Sequence, residues 1–222
     1  MSQRPVSQRT PEYSTGLNSA DEIERDLQKD NHRTWGYVIY RCDYESDADW
    51  LEFLTRLRYQ VEGSLECYNG LDMLDNLDIT VFEDKASLDG ASKSAVREKF
   101  ANWTETAPEA EQGTANAAAS QHYRYCIHVD AEALESVVHH AVAPPQPEGR
   151  GPGFVNLVSK YWEPDTADLM EKGEEPVEGP ELRDVGWMRV EYQSVMVDFY
   201  LLLRDWNDWY REYRRPPEIA RA

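Results

Sequence analysis

Residues 34–65 read TWGYVIYRCDYESDADWLEFLTRLRYQVEGSL and predict a buried strand, a short acidic connection and a long helix. Five of the eight residues from Trp35 to Cys42 are aromatic or β-branched, a composition that suits a packed sheet. The side chains alternate between two faces, with Trp35, Tyr37 and Ile39 on one and Gly36, Val38, Tyr40 and Cys42 on the other. Because both faces are apolar, we expect this strand near the middle of a sheet.

The helix that follows has a start signal and a continuous apolar stripe. Ser46 and Asp49 form an S-x-x-D cap, and Asp47 adds negative charge where a helix N-terminus favours it. The stripe consists of Trp50, Phe53, Leu54, Leu57, Val61 and Leu65. This spacing predicts an amphipathic helix that lies on the sheet which its strand enters.

The rest of the chain predicts four more strands and several shorter helices. The strands are expected at 77–82, 123–129, 154–162 and 187–192. A single last helix is expected from Ser194 to Arg215. Two strand–helix–strand units favour an α+β fold of the ferredoxin-like sandwich type, with a mixed or antiparallel sheet and helices on one face. Further helices and long acidic loops would be added to that core.

Composition along the chain predicts one domain with a tail at each end. Residues 1–33 are expected to form a flexible tail with a short helix that Ser19 and Glu22 cap. Residues 34–215 would form a single α+β domain, and residues 216–222 a second flexible tail. Within the domain, residues 104–121 resemble a surface linker and residues 163–184 an exposed loop.

The overall charge argues against two classes of partner. The chain has 222 residues, a formal net charge of −19 and a pI near 4.6, which disfavour a nucleic-acid surface and docking on anionic lipid. No apolar run approaches the roughly 20 residues of a membrane helix, and no signal peptide is visible. With three scattered cysteines, this predicts a reducing compartment, the cytoplasm or nucleus.

Several segments resemble a large family of uncharacterised intracellular proteins of filamentous fungi. The similarity begins with TWGYVIYRCDY and the D-x-x-W-x-x-F pattern from Asp47 to Phe53. It continues in order through LDGASKSAVREKF followed by Trp103, CIHVDAEALESV, FVNLVSKYW and GWMRV. The resemblance implies a lineage-specific, often multi-copy intracellular protein. It provides no catalytic residue to transfer to this chain.

Two groups of residues are weighed as chemical sites. Cys126 and His128 lie two apart on one predicted strand face, so they are candidates for a thiolate–imidazole nucleophile or, with His139 and His140, for zinc ligands. The blander reading is a buried cysteine beside a hydrogen-bonded histidine. Asp72, Asp75 and Asp78 lack a complete calcium-loop pattern and are interpreted as turn and cap residues. No metal and no cofactor is predicted.

A ligand pocket on the sheet is a second hypothesis. The candidate lining consists of Trp35, Tyr37, Tyr40, Tyr123 and Tyr125, with Arg41, Arg124 or His128 as the polar anchor. The alternatives are that the aromatic side chains form core and that the arginines pair with carboxylates such as Asp43, Asp130 or Glu191.

The last helix carries the composition of a protein interface. Its aromatic and basic residues are Trp206, Trp209, Tyr210 and Tyr213 with Arg211, Arg214 and Arg215. Phosphate-binding, dinucleotide, nucleophile-elbow and zinc-protease motifs are all absent from the sequence. These observations favour a non-enzymatic interaction domain whose partner is another protein or a second copy. A structural alternative for the same helix is that it docks on the acid-rich loop of its own chain. The alternative is a small-molecule binder or cofactor-independent enzyme with the aromatic-lined pocket.

Overall fold

The computed structural model describes residues 5–12, 18–117, 119–146, 149–164, 175–178 and 181–222. The helices are α1 (Ser19–Asp30), α2 (Asp47–Cys67), α3 (Lys85–Leu88), α4 (Lys93–Thr104), α5 (Ala107–Gln112), α6 (Ala131–Glu135), α7 (Asp198–Leu202) and α8 (Asp208–Glu212). The strands are β1 (Val38–Arg41), β2 (Val81–Phe82), β3 (Tyr125–Val129), β4 (Phe154–Ser159), β5 (Trp187–Glu191) and β6 (Ile219–Ala220). In this part of the chain, every helix is too short or too polar to cross a lipid bilayer.

The six strands form one mixed sheet in the order β2-β1-β3-β4-β5-β6. β1 runs parallel to both of its neighbours, and Ile39 lies opposite Val81 on one side and Ile127 on the other. β3, β4 and β5 are successively antiparallel, and β6 is parallel to β5. The predicted α+β class is therefore confirmed, whereas the ferredoxin-like sandwich is not.

Helices cover both faces of the sheet, so the prediction of helices on one face is wrong. On one face, Ile39 packs in a large cluster with residues of α1, α2, α6 and α7. On the other face, Val38 and Tyr40 pack in a second cluster with Val96 and Phe100 of α4. The alternation predicted for β1 is confirmed, because its odd-numbered and even-numbered residues belong to different clusters.

α2 forms as its sequence predicts. The Ser46 hydroxyl accepts a hydrogen bond from the Asp49 backbone N–H at 3.1 Å, which caps the helix. Trp50 and Phe53 are buried and stacked, with 5.3 Å between ring centroids. Gly63 lies within the helix and does not end it.

Both predicted tails contain ordered parts of the fold. α1 is capped by Asn18 instead of Ser19, and Ala20 and Ile23 are fully buried in the core. At the other end, Ala220 pairs with Val190, so residues 219–220 form an edge strand. Periodicity over two or three residues is too short to reveal such a strand, which explains the error at the C-terminus.

The predicted last helix is broken into α7 and α8. The backbone N–H of Asp205 donates a hydrogen bond of 2.5 Å to the Asp208 carboxylate, so Asp208 stabilises the turn between the two helices. The predicted linker at 104–121 is also corrected, because it contains α5 and the buried side chain of Gln112.

The entry to β1 depends on a close backbone approach. The Asp78 N–H donates to the Trp35 carbonyl at 2.7 Å, which draws residues 77–78 against Gly36. Gly36 has a φ of +106°, and a Cβ there would lie 2.7 Å from the Asp78 carbonyl oxygen and 2.8 Å from the Leu77 side chain. Only glycine satisfies both the dihedral and the contact.

We predict opposite effects for alanine at two glycines. Gly36→Ala introduces both strain and a backbone clash, so it lowers the free energy of unfolding by about 2–4 kcal/mol. Gly63→Ala places its Cβ in open space within a helix and raises the free energy of unfolding by about 0.5–1 kcal/mol. Urea denaturation of both variants measures the difference. Equal effects would contradict the assigned backbone geometry.

Arg204 joins α1 to the segment after α7. Its guanidinium forms two hydrogen bonds with the Asp30 carboxylate, at 2.6 and 2.7 Å, and lies 3.3 Å from Asp26. Burial raises the pKa of Asp26 to about 6, although the Arg204 charge opposes the shift. Because the folded chain then binds this proton more tightly than the unfolded chain, Asp26 costs stability as pH rises from about 4 to 6.

Asp26→Asn should therefore stabilise the protein at neutral pH. The expected gain at pH 7 is about 1–3 kcal/mol, since one pKa unit corresponds to about 1.4 kcal/mol, and it should disappear near pH 4. Urea denaturation of the variant and the native chain at several pH values gives this difference directly. A variant that is less stable at pH 7 would show that the Arg204 contact outweighs the cost of burial.

Candidate functional site

A solvent-accessible cleft brings together residues from two of the predicted sites. The cleft has a volume of about 960 Å³ and lies between the start of β3, the chain after β4, the segment before β5 and the region around α8. Its lining includes Arg124 and Tyr125 from the predicted ligand site. It also includes Trp206, Trp209, Tyr210, Tyr213 and Arg214 from the predicted interface. We call it the aromatic–arginine cleft.

Arg124 holds the chain that forms one wall of the cleft. The side chain is buried, and its guanidinium donates hydrogen bonds to the carbonyls of Leu203 at 3.2 Å and Arg204 at 2.8 Å. The same group lies 4.5 Å from the ring centroid of Trp206. The predicted carboxylate partner is therefore replaced by backbone carbonyls, which fix the turn between α7 and α8.

The aromatic residues of this region divide into anchors and exposed rings. Trp209 is buried, stacks on Tyr125 at 5.5 Å between centroids and donates its indole N–H to Asp184 at 2.8 Å. By contrast, Trp206 is 57% exposed and Tyr210 is 76% exposed. The half-exposed Tyr161 lies beside Trp206, with 5.4 Å between their rings. Large exposed aromatic groups of this kind are typical of binding surfaces.

The arginines of the cleft are not all neutralised. Arg214 donates to the carbonyls of Arg211 and Tyr213, and Arg215 donates to those of Leu182 and Glu175. Among the described residues, no carboxylate forms an ion pair with Arg214 or Arg215. Arg211 differs, because it pairs with the carboxylate of Asp208 and does not line the cleft.

The other predicted ligand residues lie elsewhere. Trp35, Tyr37 and Tyr40 are buried in the core, where Tyr37 packs on Tyr200 and Tyr40 stacks on Phe82. Tyr123 is also buried, and its ring packs against those of Trp103 and His122. Ligand contact by these four residues stays a prediction.

Arg41 forms a structural contact near the start of α2. Its guanidinium donates to the Asp47 carboxylate at 2.6 Å and to the backbone carbonyl of Asp43 at 2.9 Å. It also lies 4.4 Å from the ring centroid of Tyr44. The carboxylate partner is thus Asp47 rather than the acids named from the sequence.

Cys126 and His128 do not have the geometry of an activated nucleophile. His128 donates its Nε2–H to the Ala91 carbonyl at 2.8 Å, and its Nδ1 faces Asn156. Burial lowers the pKa of His128 and raises that of the Cys126 thiol well above its usual range. His139 and His140 lie near Asp49 and Glu135 and do not join them. The contacts support the interpretation of this pair as a buried cysteine beside a hydrogen-bonded histidine.

One cluster of possible metal ligands was missed from the sequence. Asp78 precedes β2, Glu111 lies on α5 and His122 lies in the 3₁₀ turn before β3, and one ligand atom from each lies within 4.8 Å of the others. The His122 Nδ1–H donates to the Gly36 carbonyl at 2.8 Å, and Nε2 lies 3.1 Å from a Glu111 oxygen. Burial opposes protonation of His122, but Glu111 and Asp78 raise its pKa above the usual value.

No sequence pattern marks this cluster. Glu111 lies in the stretch interpreted as a linker, and the three residues come from three separate elements. Of the three aspartates interpreted from the sequence as turn and cap residues, Asp78 belongs to the cluster, whereas Asp72 pairs with Arg9 at 2.7 Å.

Comparison with protein-family models, with curated proteins and with solved structures finds no match. The resemblance to the fungal family therefore stays a prediction, and function has to be argued from the geometry above.

Thiol labelling tests the assignment of the cysteines. Cys67 is exposed, whereas Cys42 and Cys126 are buried. Burial raises the pKa of the Cys42 thiol to about 12 and that of the Cys126 thiol well above its usual value. We expect the native protein to react with one equivalent of a thiol reagent at pH 8, and Cys67→Ser to abolish that reaction. All three thiols should react in urea. Rapid native labelling of Cys126 would contradict the assignment and revive the nucleophile hypothesis.

Proposed function

We propose that the protein is a non-enzymatic interaction domain that binds an acidic segment of a partner protein in the aromatic–arginine cleft. The observation that carries the proposal is the exposure of Trp206 and Tyr210 in the same cleft as Arg214 and Arg215. Neither arginine forms an ion pair with a described carboxylate. Tryptophan, tyrosine and arginine are the residues that most often dominate binding energy at protein interfaces. The three unpaired cysteines support a reducing compartment, which we take to be the cytoplasm or nucleus.

An acidic partner follows from the local charge. At physiological salt, charges separated by more than about 8 Å are largely screened, so the groups that line the cleft matter most. The described lining has four arginines (Arg124, Arg183, Arg214 and Arg215) and three carboxylates (Glu163, Asp184 and Glu218), a local balance of +1 on a chain whose net charge is −19. The N–H groups of Arg214 and Arg215 that contact the fold bond to neutral carbonyls, so these contacts do not offset the positive charge of either side chain. A peptide with carboxylates and apolar side chains would complement both features of this surface.

Fluorescence anisotropy with a labelled Glu-rich peptide that contains aromatic residues tests the proposal. Trp206→Ala and Tyr210→Ala should each weaken binding about 10-fold, because a truncated hot spot costs at least about 1.4 kcal/mol. Tyr59→Ala is the matched control, since Tyr59 is an exposed tyrosine on α2 outside the cleft. Replacing each Glu of the peptide by Gln should also weaken binding. Equal binding by all four proteins would refute this use of the cleft.

A second copy of the chain is another candidate partner for the same surface. Sedimentation equilibrium distinguishes it, because a dimer that Trp206→Ala converts to monomer would place the cleft at a homodimer interface. A small anionic aromatic molecule is the alternative that the cleft volume favours, since ligand pockets commonly measure about 300–1,000 Å³. Thermal-shift screening of aromatic carboxylates addresses it.

A further inference from the structure

The separation of Glu111 and His122 in the Asp78–Glu111–His122 cluster suits a shared cation. Metal bonds to imidazole nitrogen and carboxylate oxygen are about 2.0–2.2 Å long, so neighbouring ligand atoms around one ion lie about 3.0–3.5 Å apart. His122 Nε2 and the Glu111 oxygen are separated by 3.1 Å. Asp78 completes a set of three atoms that all lie within 4.8 Å of each other.

The contacts around the cluster orient these groups as ligands. A metal-bound histidine commonly donates its second ring N–H to a backbone carbonyl, and the His122 Nδ1–H donates to that of Gly36. Gly36 is itself fixed by its close approach to Asp78. The Tyr123 hydroxyl donates to the Glu111 carboxylate at 2.8 Å and accepts from the Gln112 amide at 2.7 Å. Ligating carboxylates are typically supported by such hydrogen bonds.

The charge of the three groups also favours a divalent ion. Two carboxylates and a protonated imidazole carry −1 together, whereas two carboxylates, a neutral imidazole and a divalent cation carry no net charge. His122 is fully buried, and electrostatic interactions are stronger away from water. The Glu111 side chain is 19% exposed, so an ion and its remaining water ligands can reach the cluster from solvent.

From these observations we propose that Asp78, Glu111 and His122 bind one divalent transition-metal ion. A donor set of two carboxylates and one imidazole fits Zn²⁺ or Mn²⁺ better than Ca²⁺, which takes oxygen ligands only. Three protein ligands leave coordination positions for water. The site shares no residue with the lining of the aromatic–arginine cleft, so it is independent of the proposed function.

Calorimetric titration of chelator-treated protein with ZnCl₂ or MnCl₂, in buffer with physiological salt, tests the site. We expect saturable binding of one equivalent of at least one of the two ions. Glu111→Gln should weaken that binding by more than about 100-fold, because loss of an outer hydrogen bond alone costs 10- to 100-fold. Glu109→Gln is the matched control, since Glu109 is exposed on the same helix outside the cluster. Its affinity should equal that of the native chain.

A spectroscopic readout locates the bound ion. The ring of Trp103 lies 5.6 Å from that of His122, so paramagnetic Co²⁺ in the cluster should quench the Trp103 fluorescence. Trp103→Phe should remove the quenched component. If Glu111→Gln does not fold, as judged by circular dichroism, Asp78→Asn takes its place in both assays. Absence of one-site binding, or equal affinity in the folded ligand variant, would overturn the proposal and leave an imidazolium–carboxylate pair.

Discussion

The burial of β1 on both faces is the constraint on which the rest of the structure depends. Val38 and Ile39 are fully buried on opposite faces, and each needs its own apolar cover. β1 also has parallel neighbours on both sides, and parallel strands require long crossover connections that usually contain helices. In the strand order β2-β1-β3, the connection from β1 to β2 crosses the sheet toward the β2 edge, and the connection from β2 to β3 crosses it in the opposite direction. If both crossovers are right-handed, their helices must lie on opposite faces, which accounts for α2 and α4.

The same topology assembles the cluster around His122. The amino ends of parallel strands meet at one edge of a sheet, and Gly36, Asp78 and His122 precede β1, β2 and β3 respectively. The crossover from β2 to β3 carries α5, and with it Glu111, to that edge. The cluster is thus a consequence of strand order, and the positive φ of Gly36 permits the close contact that completes it.

What could be predicted from the sequence was local. The cap at Ser46, the stripe that begins at Trp50 and the alternation along β1 depend on neighbours within a few residues, and the structure confirms them. The break between α7 and α8 was not predictable, because it depends on Arg124, which is distant in sequence and bonds to the carbonyls in the turn. Glu111 was missed for a similar reason, since its partners are brought to it only by the crossover.

The hydrogen-bond partners of the arginines could be predicted from the sequence only in part. With 42 acidic and 23 basic residues, a carboxylate is the partner that composition predicts for each arginine, and Arg41 and Arg204 follow that prediction. Arg124 and Arg215 bond instead to backbone carbonyls. A carbonyl accepts hydrogen bonds from the guanidinium N–H groups and adds no negative charge. A carboxylate accepts the same hydrogen bonds and also offsets the positive charge of the arginine. The fold therefore places Arg214 and Arg215, which form no ion pair with a described carboxylate, in the same cleft as the exposed rings of Trp206 and Tyr210.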